Sequence, residues 1–384
     1  MKKIITIIFL LVSILLLSSC SKKIKISDKD ISHEEKFGGI YIEITIENFN
    51  NLGFSFGDSI NITFTNGYKL EDLPYYNGYY TDTGEALLVG YPGYPYIRAG
   101  INNGADLFEI AKLTASDKAT IELKEKGKYL QIQEALDIHY TDTQGDIPDI
   151  VFANFRNIKV GNLKEGILYR SASPVDNQHK RASVVDRLIK DKVNTIINLS
   201  DNDGELIEHI NKSDFNSPYF LSIYNNHNVV ALSMNMNFKS TRSNEEVPQL
   251  FTEFNNTIFQ DKLIQGLRFM ISHDGPYLIH CVEGKDRTGF VCMVLEALAS
   301  ASYDEIISDY MITYDNYYGI NLDTYPSKYK IIKEKNIDEM LRTIIGDDNV
   351  DITKANYSSY ITNYLTSKGM TLEEVNTLKT KLTN

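Results

Sequence analysis

Apolar and polar residues alternate with a period of two through the first third of the chain, and the period lengthens to that of helices in the remainder. Residues 39–47 (GIYIEITIE) alternate strictly, and 58–64 (DSINITF) and 119–123 (ATIEL) do the same, so each predicts a half-buried strand. Asn66-Gly67, Asn77-Gly78, Gly90-Tyr-Pro-Gly93 and Asn103-Gly104 supply turn residues at short spacing between them. Short strands punctuated this way form a small barrel or sandwich, so residues 37–145 are expected to be an all-β accessory domain. From about residue 149 the texture changes. Helical periodicity over 178–191, 248–272, 288–299, 303–314, 326–345, 355–367 and 372–382 alternates with short apolar runs at 195–199 and 276–280. Strands alternating with helices predict a mostly parallel sheet flanked by helices over 149–384, an α/β domain. Such sheets bind ligands beyond the carboxyl ends of their strands.

The first twenty residues belong to neither pattern. Lys2 and Lys3 precede an apolar run at 4–17, shorter than the roughly 20 residues a membrane-spanning helix needs. Small Ser18 and Ser19 then lead into Cys20. Residues 1–19 read as a targeting signal, and Leu17-Ser18-Ser19-Cys20 resembles the lipobox of bacterial lipoproteins. That resemblance implies cleavage before Cys20, lipidation of Cys20, a polar tether over 20–36, and a membrane-anchored, extracytoplasmic protein. An uncleaved anchor, or a plain secretory peptide with Cys20 incidental, are the alternatives.

Composition narrows the function classes. The chain has 384 residues, 42% of them hydrophobic, which excludes collagen, coiled coil and a wholly disordered chain and suits two domains. With 39 Lys+Arg against 51 Asp+Glu, the net charge of −12 repels nucleic-acid backbones, so no nucleic-acid partner is expected. Any bound anion must then sit in a local positive site. Three cysteines cannot form a disulfide framework, so each is chemistry or packing. Tyr75, Tyr76, Tyr79, Tyr80, Tyr91, Tyr94 and Tyr96 either offer a surface for sugar or peptide or fill the small barrel, and the second reading is favoured. The order from Phe56 to Leu107 also resembles the β-barrel appended to S-adenosylmethionine hydroxide adenosyltransferases, through turn glycines and alternation that imply no residue roles.

The chemistry concentrates in His280-Cys281-Val282-Glu283-Gly284-Lys285-Asp286-Arg287-Thr288-Gly289. Cys281 ends a predicted strand, Arg287 stands six positions later where a helix begins, and Gly284 lets the loop between them curl. A loop bent this way turns successive N–H groups inward at a helix amino terminus, and residues 282–289 become an anion nest. Arg287 adds a planar fork for two phosphate oxygens. The thiolate of Cys281 is favoured in that field and becomes a nucleophile aimed at phosphorus. Thr288 is placed to donate its hydroxyl to that sulfur, and His280 to orient the cysteine. Cys292, in an apolar helix, is core.

This run, HCxxGKDRTG, resembles the cysteine-dependent protein tyrosine phosphatases, most closely the broad-specificity, lipid-phosphatase-like bacterial branch. Asn154-Phe155-Arg156-Asn157-Ile158 and Gly166-Ile-Leu-Tyr-Arg170-Ser-Ala172 are similar to that branch's opening, with Asn157 in place of its Asp and Lys159 and Val160 in place of its closing glycines. The resemblance covers about 149–384 and implies a tyrosine-phosphatase-like fold, no cofactor and no metal, with Arg156 and Arg170 as scaffold near the loop. Many such enzymes carry a general acid on a separate loop, but the corresponding stretch here, 229–242, has no Asp or Glu, and its Asn235 and Asn237 cannot release a proton. The resemblance therefore places the acid on Asp286, inside the loop. Asp201 and Asp203 compete, since both follow the strand at 195–199, although they also read as turn residues. Lys285 is either a solvated loop residue or a second cation for a polyanionic substrate.

Three functions stay open. The first is a phosphomonoesterase with a phosphocysteine intermediate, acting on phosphotyrosine and by extension on phosphoserine, phosphothreonine and phosphoinositides. The second is an extracytoplasmic phosphatase of inositol polyphosphates, phytase-like. The third is an anchored binding protein whose loop only holds phosphate; intact Cys281, Asp286, Arg287 and Thr288 argue against it.

Overall fold

The computed structural model of the chain describes residues 24–35, 38–82, 84–102, 104–234, 257–347 and 349–384. Cys20 with its signal, Asn235 and Asn237, and the first part of the helix expected from 248 lie outside the described residues. Two compact units separate at Leu130, the second running from Gln131 to Asn384 and also taking Asp82–Gly84.

In the first unit, β1 (Lys25–Glu34), β2 (Gly39–Ile42), β3 (Ser59–Phe64), β4 (Lys69–Tyr76), β5 (Ala86–Val89), β6 (Ile97–Ile101) and β7 (Lys118–Glu125) close into a barrel. Their order is β1-β2-β6-β5-β4-β3-β7, and only β4 and β5 run parallel. Period-two alternation fills it: Ile40, Ile42, Ile60, Ile62, Ile97, Ala99 and Ile121 are fully buried in one cluster.

Three expectations change here. The polar stretch expected as a tether is strand β1, paired with β2 and β7. Its inward residues Ile26 and Ile31 are five apart and would face opposite ways on a regular strand. A bulge between Ile26 and Lys29, with Asp28 at φ 56°, re-phases them. The strand expected over 39–47 stops at Ile42, because Thr45 accepts a hydrogen bond from the Asn48 N–H and caps a helix, Ile46–Asn51. With a second short helix, Leu107–Ile110, the unit is not all-β, and its end moves from 145 back to Leu130.

The second unit carries a five-stranded sheet in the order β11 (Val229–Ala231), β10 (Thr195–Asn198), β12 (Tyr277–His280), β9 (Leu168–Ser171), β8 (Arg156–Asn157). The first four strands are parallel and β8 is antiparallel. Alternate residues of the central strands serve opposite faces. Ile196 and Leu278 join a core with Val184, Val185 and Phe220 from the helices Ala182–Ile189 and Pro218–Asn225. Ile197 and Ile279 join the larger core with Leu263 and Val294 from Thr257–Ser272 and Asp286–Leu298. Helix Asp203–Ile210 is too short to show a period in the sequence, and the helix expected over 326–345 breaks at Asn336 into Pro326–Lys335 and Ile337–Ile345. Chain order places β12 last among these strands yet between β10 and β9, so its carboxyl end lies mid-sheet, where the other strand ends converge.

Candidate active site

Cys281 follows directly on β12, and five residues later the helix Asp286–Leu298 begins. Gly284 makes the turn possible. Its φ is +69°, and a Cβ there would lie 2.2 Å from the Ser171 carbonyl oxygen, so no other residue fits. Every carbonyl from Cys281 to Lys285 has a hydrogen-bond partner. The Cys281 oxygen meets His280 Nδ1 at 3.2 Å, and the Val282 oxygen accepts from the Ser173 N–H at 3.0 Å. The Glu283 oxygen accepts from the Tyr317 phenol at 2.6 Å, and the Gly284 oxygen from Asn154 Nδ2 at 3.2 Å and Arg170 Nη2 at 2.9 Å. The Lys285 oxygen accepts from the Gly289 N–H at 2.7 Å. With the carbonyls paired, the amides of residues 282–288 take no acceptor among the described residues. Seven N–H dipoles at a helix amino terminus make a strong anion cup.

Buried charge fixes that arrangement. Arg170, on β9, also donates from Nη1 to Asp309 Oδ2 at 2.7 Å, and Arg156 Nε donates to Asp309 Oδ1 at 2.8 Å. Burial opposes ionisation of Asp309, but the two arginines hold its carboxyl below the usual range. Nearby Glu296 goes the other way: burial and the Asp309 charge push it well up. Asn154, at φ 48°, accepts from Arg156 Nη1 at 2.7 Å and so is aimed at the loop.

Within the cup, Cys281 is 3% exposed. Arg287 pairs with no carboxylate among the described residues, so its fork is available to a ligand. His280 is fully buried, and burial pushes its pKa down to about 3, so it is a neutral positioning group. The Thr288 hydroxyl is buried and makes no hydrogen bond among the described residues, so the expected bond to the Cys281 sulfur is not formed. Gly289 packs where a Cβ would lie 2.6 Å from the Tyr310 ring. Cys292 is fully buried in the core, and burial pushes its thiol up.

Lys285 is not a solvated loop residue. Its Nζ lies 3.2 Å from Glu283 Oε2 and 3.7 Å from Asp286 Oδ2. Asp286, in the first turn of the helix, is 43% exposed on its side chain. Of the competing acids, Asp203 is exposed at the start of the helix Asp203–Ile210. Asp201 is buried, accepts from Asn198 Nδ2 at 2.8 Å, and has its carboxyl pushed up by burial. Asn154, Asp309, Tyr317 and Ser173 were not singled out in the sequence as loop-holding residues. Only Asn154 stood in a recognisable motif; the others are brought in from distant helices and loops. Among the described residues no three His, Cys, Asp or Glu side chains are grouped to hold a metal ion, and no helix is long and apolar enough to cross a membrane.

A family model described as "Tyrosine phosphatase family" matches residues 152–384, more than half of the chain. No curated protein matches. Among solved structures, the core catalytic domain of the PP-IP phosphatase SIW14 from S. cerevisiae in complex with citrate is similar at 18% identity, covering 50% of this chain and 90% of that chain, with a TM-score of 0.24.

Proposed function

Because the chain belongs to the tyrosine phosphatase family and is a cysteine-based phosphatase, we propose that it hydrolyses phosphomonoesters through a phosphocysteine on Cys281, phosphotyrosine first among them. The supporting observation is the loop itself: seven successive amides without acceptors and an Arg287 without a carboxylate partner among the described residues, in the same turn as a buried sulfur. The Cys281 thiolate attacks phosphorus, and the bond from phosphorus to the leaving oxygen breaks as charge on the equatorial oxygens meets amides already oriented. Asp286 gives its proton to the departing phenolate. It then takes a proton from the water that attacks phosphorus, and the S–P bond breaks to return the thiolate. Phosphoserine, phosphothreonine and phosphoinositides are further substrates of the same cup, and a soluble inositol polyphosphate is the alternative.

A substrate panel on the full chain, with and without Cys281→Ser, tests the proposal. Turnover of phosphotyrosine lost in the variant supports it, whereas phosphate binding without turnover in both would favour the anchored binding protein. Asp286→Asn should slow phosphoenzyme formation most for poor leaving groups, and equal slowing for all would remove Asp286 as the acid. We also propose that the enzyme works outside the cytoplasm, anchored at Cys20, on the support of its lipobox-like leader. Incorporation of labelled fatty acid, abolished by Cys20→Ser, tests that.

A further inference from the structure

The rim of the cup carries a charge arrangement that the hydrolysis itself does not require. Building on the phosphatase reading and deepening it, we infer that Glu283 disfavours, without excluding, substrates that bring a second phosphate to the rim, by holding Lys285 away from it. The loop contains two cations. Arg287 has no carboxylate partner among the described residues, while Lys285 Nζ sits between Glu283 Oε2 at 3.2 Å and Asp286 Oδ2 at 3.7 Å. Around Lys285 the fixed charge is therefore one positive against two negative.

A monoester seats its phosphate on the amides and Arg287. A second phosphate on the same substrate would meet that net-negative group instead of a cation, a repulsion that counts in a site where water is partly excluded. The Lys285 side chain is 20% exposed and that of Glu283 29%, so neither is free to swing out into bulk water.

Glu283 is also braced from behind. The Tyr317 phenol donates to the main-chain oxygen of Glu283 at 2.6 Å, and the Tyr140 phenol lies 3.3 Å from His179 Nε2. Tyr140 stacks on Tyr317 with centroids 4.9 Å apart, and the Arg181 guanidinium lies 4.8 Å from the Tyr140 ring and 5.1 Å from the Tyr317 ring. Glu283 thus has its main chain fixed by Tyr317 and its carboxylate engaged by Lys285, at a half-buried place on the rim.

The test measures binding in the Cys281→Ser background, so that nothing is consumed, with O-phosphotyrosine and inositol hexakisphosphate as probes in isothermal titration. Glu283→Gln keeps the shape and removes the charge, and is expected to tighten the hexakisphosphate about tenfold relative to phosphotyrosine. Adding Lys285→Met should cancel that gain. Lys285→Met alone should weaken the hexakisphosphate further relative to phosphotyrosine, because Glu283 and Asp286 are then left without a cation. An unchanged ratio in Glu283→Gln, a gain that survives Lys285→Met in the double variant, or a gain in Lys285→Met alone overturns the inference. If the unmodified chain turns over no phosphomonoester, the phosphatase reading falls, and the binding ratios still decide the role of Glu283.

Discussion

Each unit buries an arginine against the carbonyl of a loop, and the two differ in what the arginine does. In the barrel, Arg98 Nη2 donates to the Gly38 oxygen at 2.9 Å, Nη1 to the Tyr79 phenol, and Glu34 lies 3.4 Å away. Its Nε finds no partner and rests where a Cβ on Gly39 would lie 2.7 Å from it. In the second unit, Arg170 shares Asp309 with Arg156 and spends its other branch on the oxygens of Gly284 and Lys285. Arg98 closes a turn beside the barrel's apolar cluster, with Glu34 as its carboxylate neighbour. Arg170 belongs to a network of two arginines and two carboxyl groups whose other end is the back of the anion cup. In the second unit the buried charges engage the carbonyls at the back of the cup, which packing alone does not do.

The contrast yields graded expectations. Cys281→Ser should lower turnover by roughly 10⁴-fold or more while leaving the thermal transition in place, as steady-state kinetics and calorimetry would show. Next, Arg170→Met leaves a buried carboxylate short of one partner and the Gly284 oxygen short of a donor. It should destabilise its own unit by about 3–5 kcal/mol, and Arg98→Met its unit by only about 1–3 kcal/mol. Hydrogen exchange of the β12 and β6 amides reads the two separately; equal losses would erase the distinction.

A pH effect of similar or smaller size belongs to His280. Its pKa in the fold is about 3 against 6.5 for the ordinary side chain. The unfolded chain therefore takes up a proton first as pH drops, so this stability is present above pH 6.5 and is lost as pH falls toward 3, on the order of 5 kcal/mol at most. His280→Gln should flatten that part of the acid limb. The smallest effect is Thr45→Ala in the barrel, about 1 kcal/mol for one lost cap, seen in exchange of the helix Ile46–Asn51 and not in turnover.

What the sequence made legible follows the range of the physics. Cys281, Gly284 and Arg287 form a local strand–loop–helix unit whose geometry is set within ten residues, so it could be read directly. The alternation of β3 and β7 was equally local. Strand β1 was not, because a bulge at Asp28 breaks its period, and neither was the end of β2, where a single hydroxyl on Thr45 starts a helix. Asp309 could not be found from the sequence: it meets Arg170 across 139 positions, and nothing in its own helix distinguishes it from a solvated acid. Lys285 was legible as a cation but its pairing with Glu283 was not, since the loop's curvature decides which neighbours meet.

The direct test of the account is to mix the full chain with a phosphotyrosyl substrate, quench in acid within a turnover, and map phosphate by mass spectrometry of the peptides. The account predicts one phosphoryl group on Cys281, accumulating further in Asp286→Asn with a good leaving group and absent in Cys281→Ser. Phosphate release at full rate with no phosphoryl group on that sulfur, or the same rate from the serine variant, would contradict it.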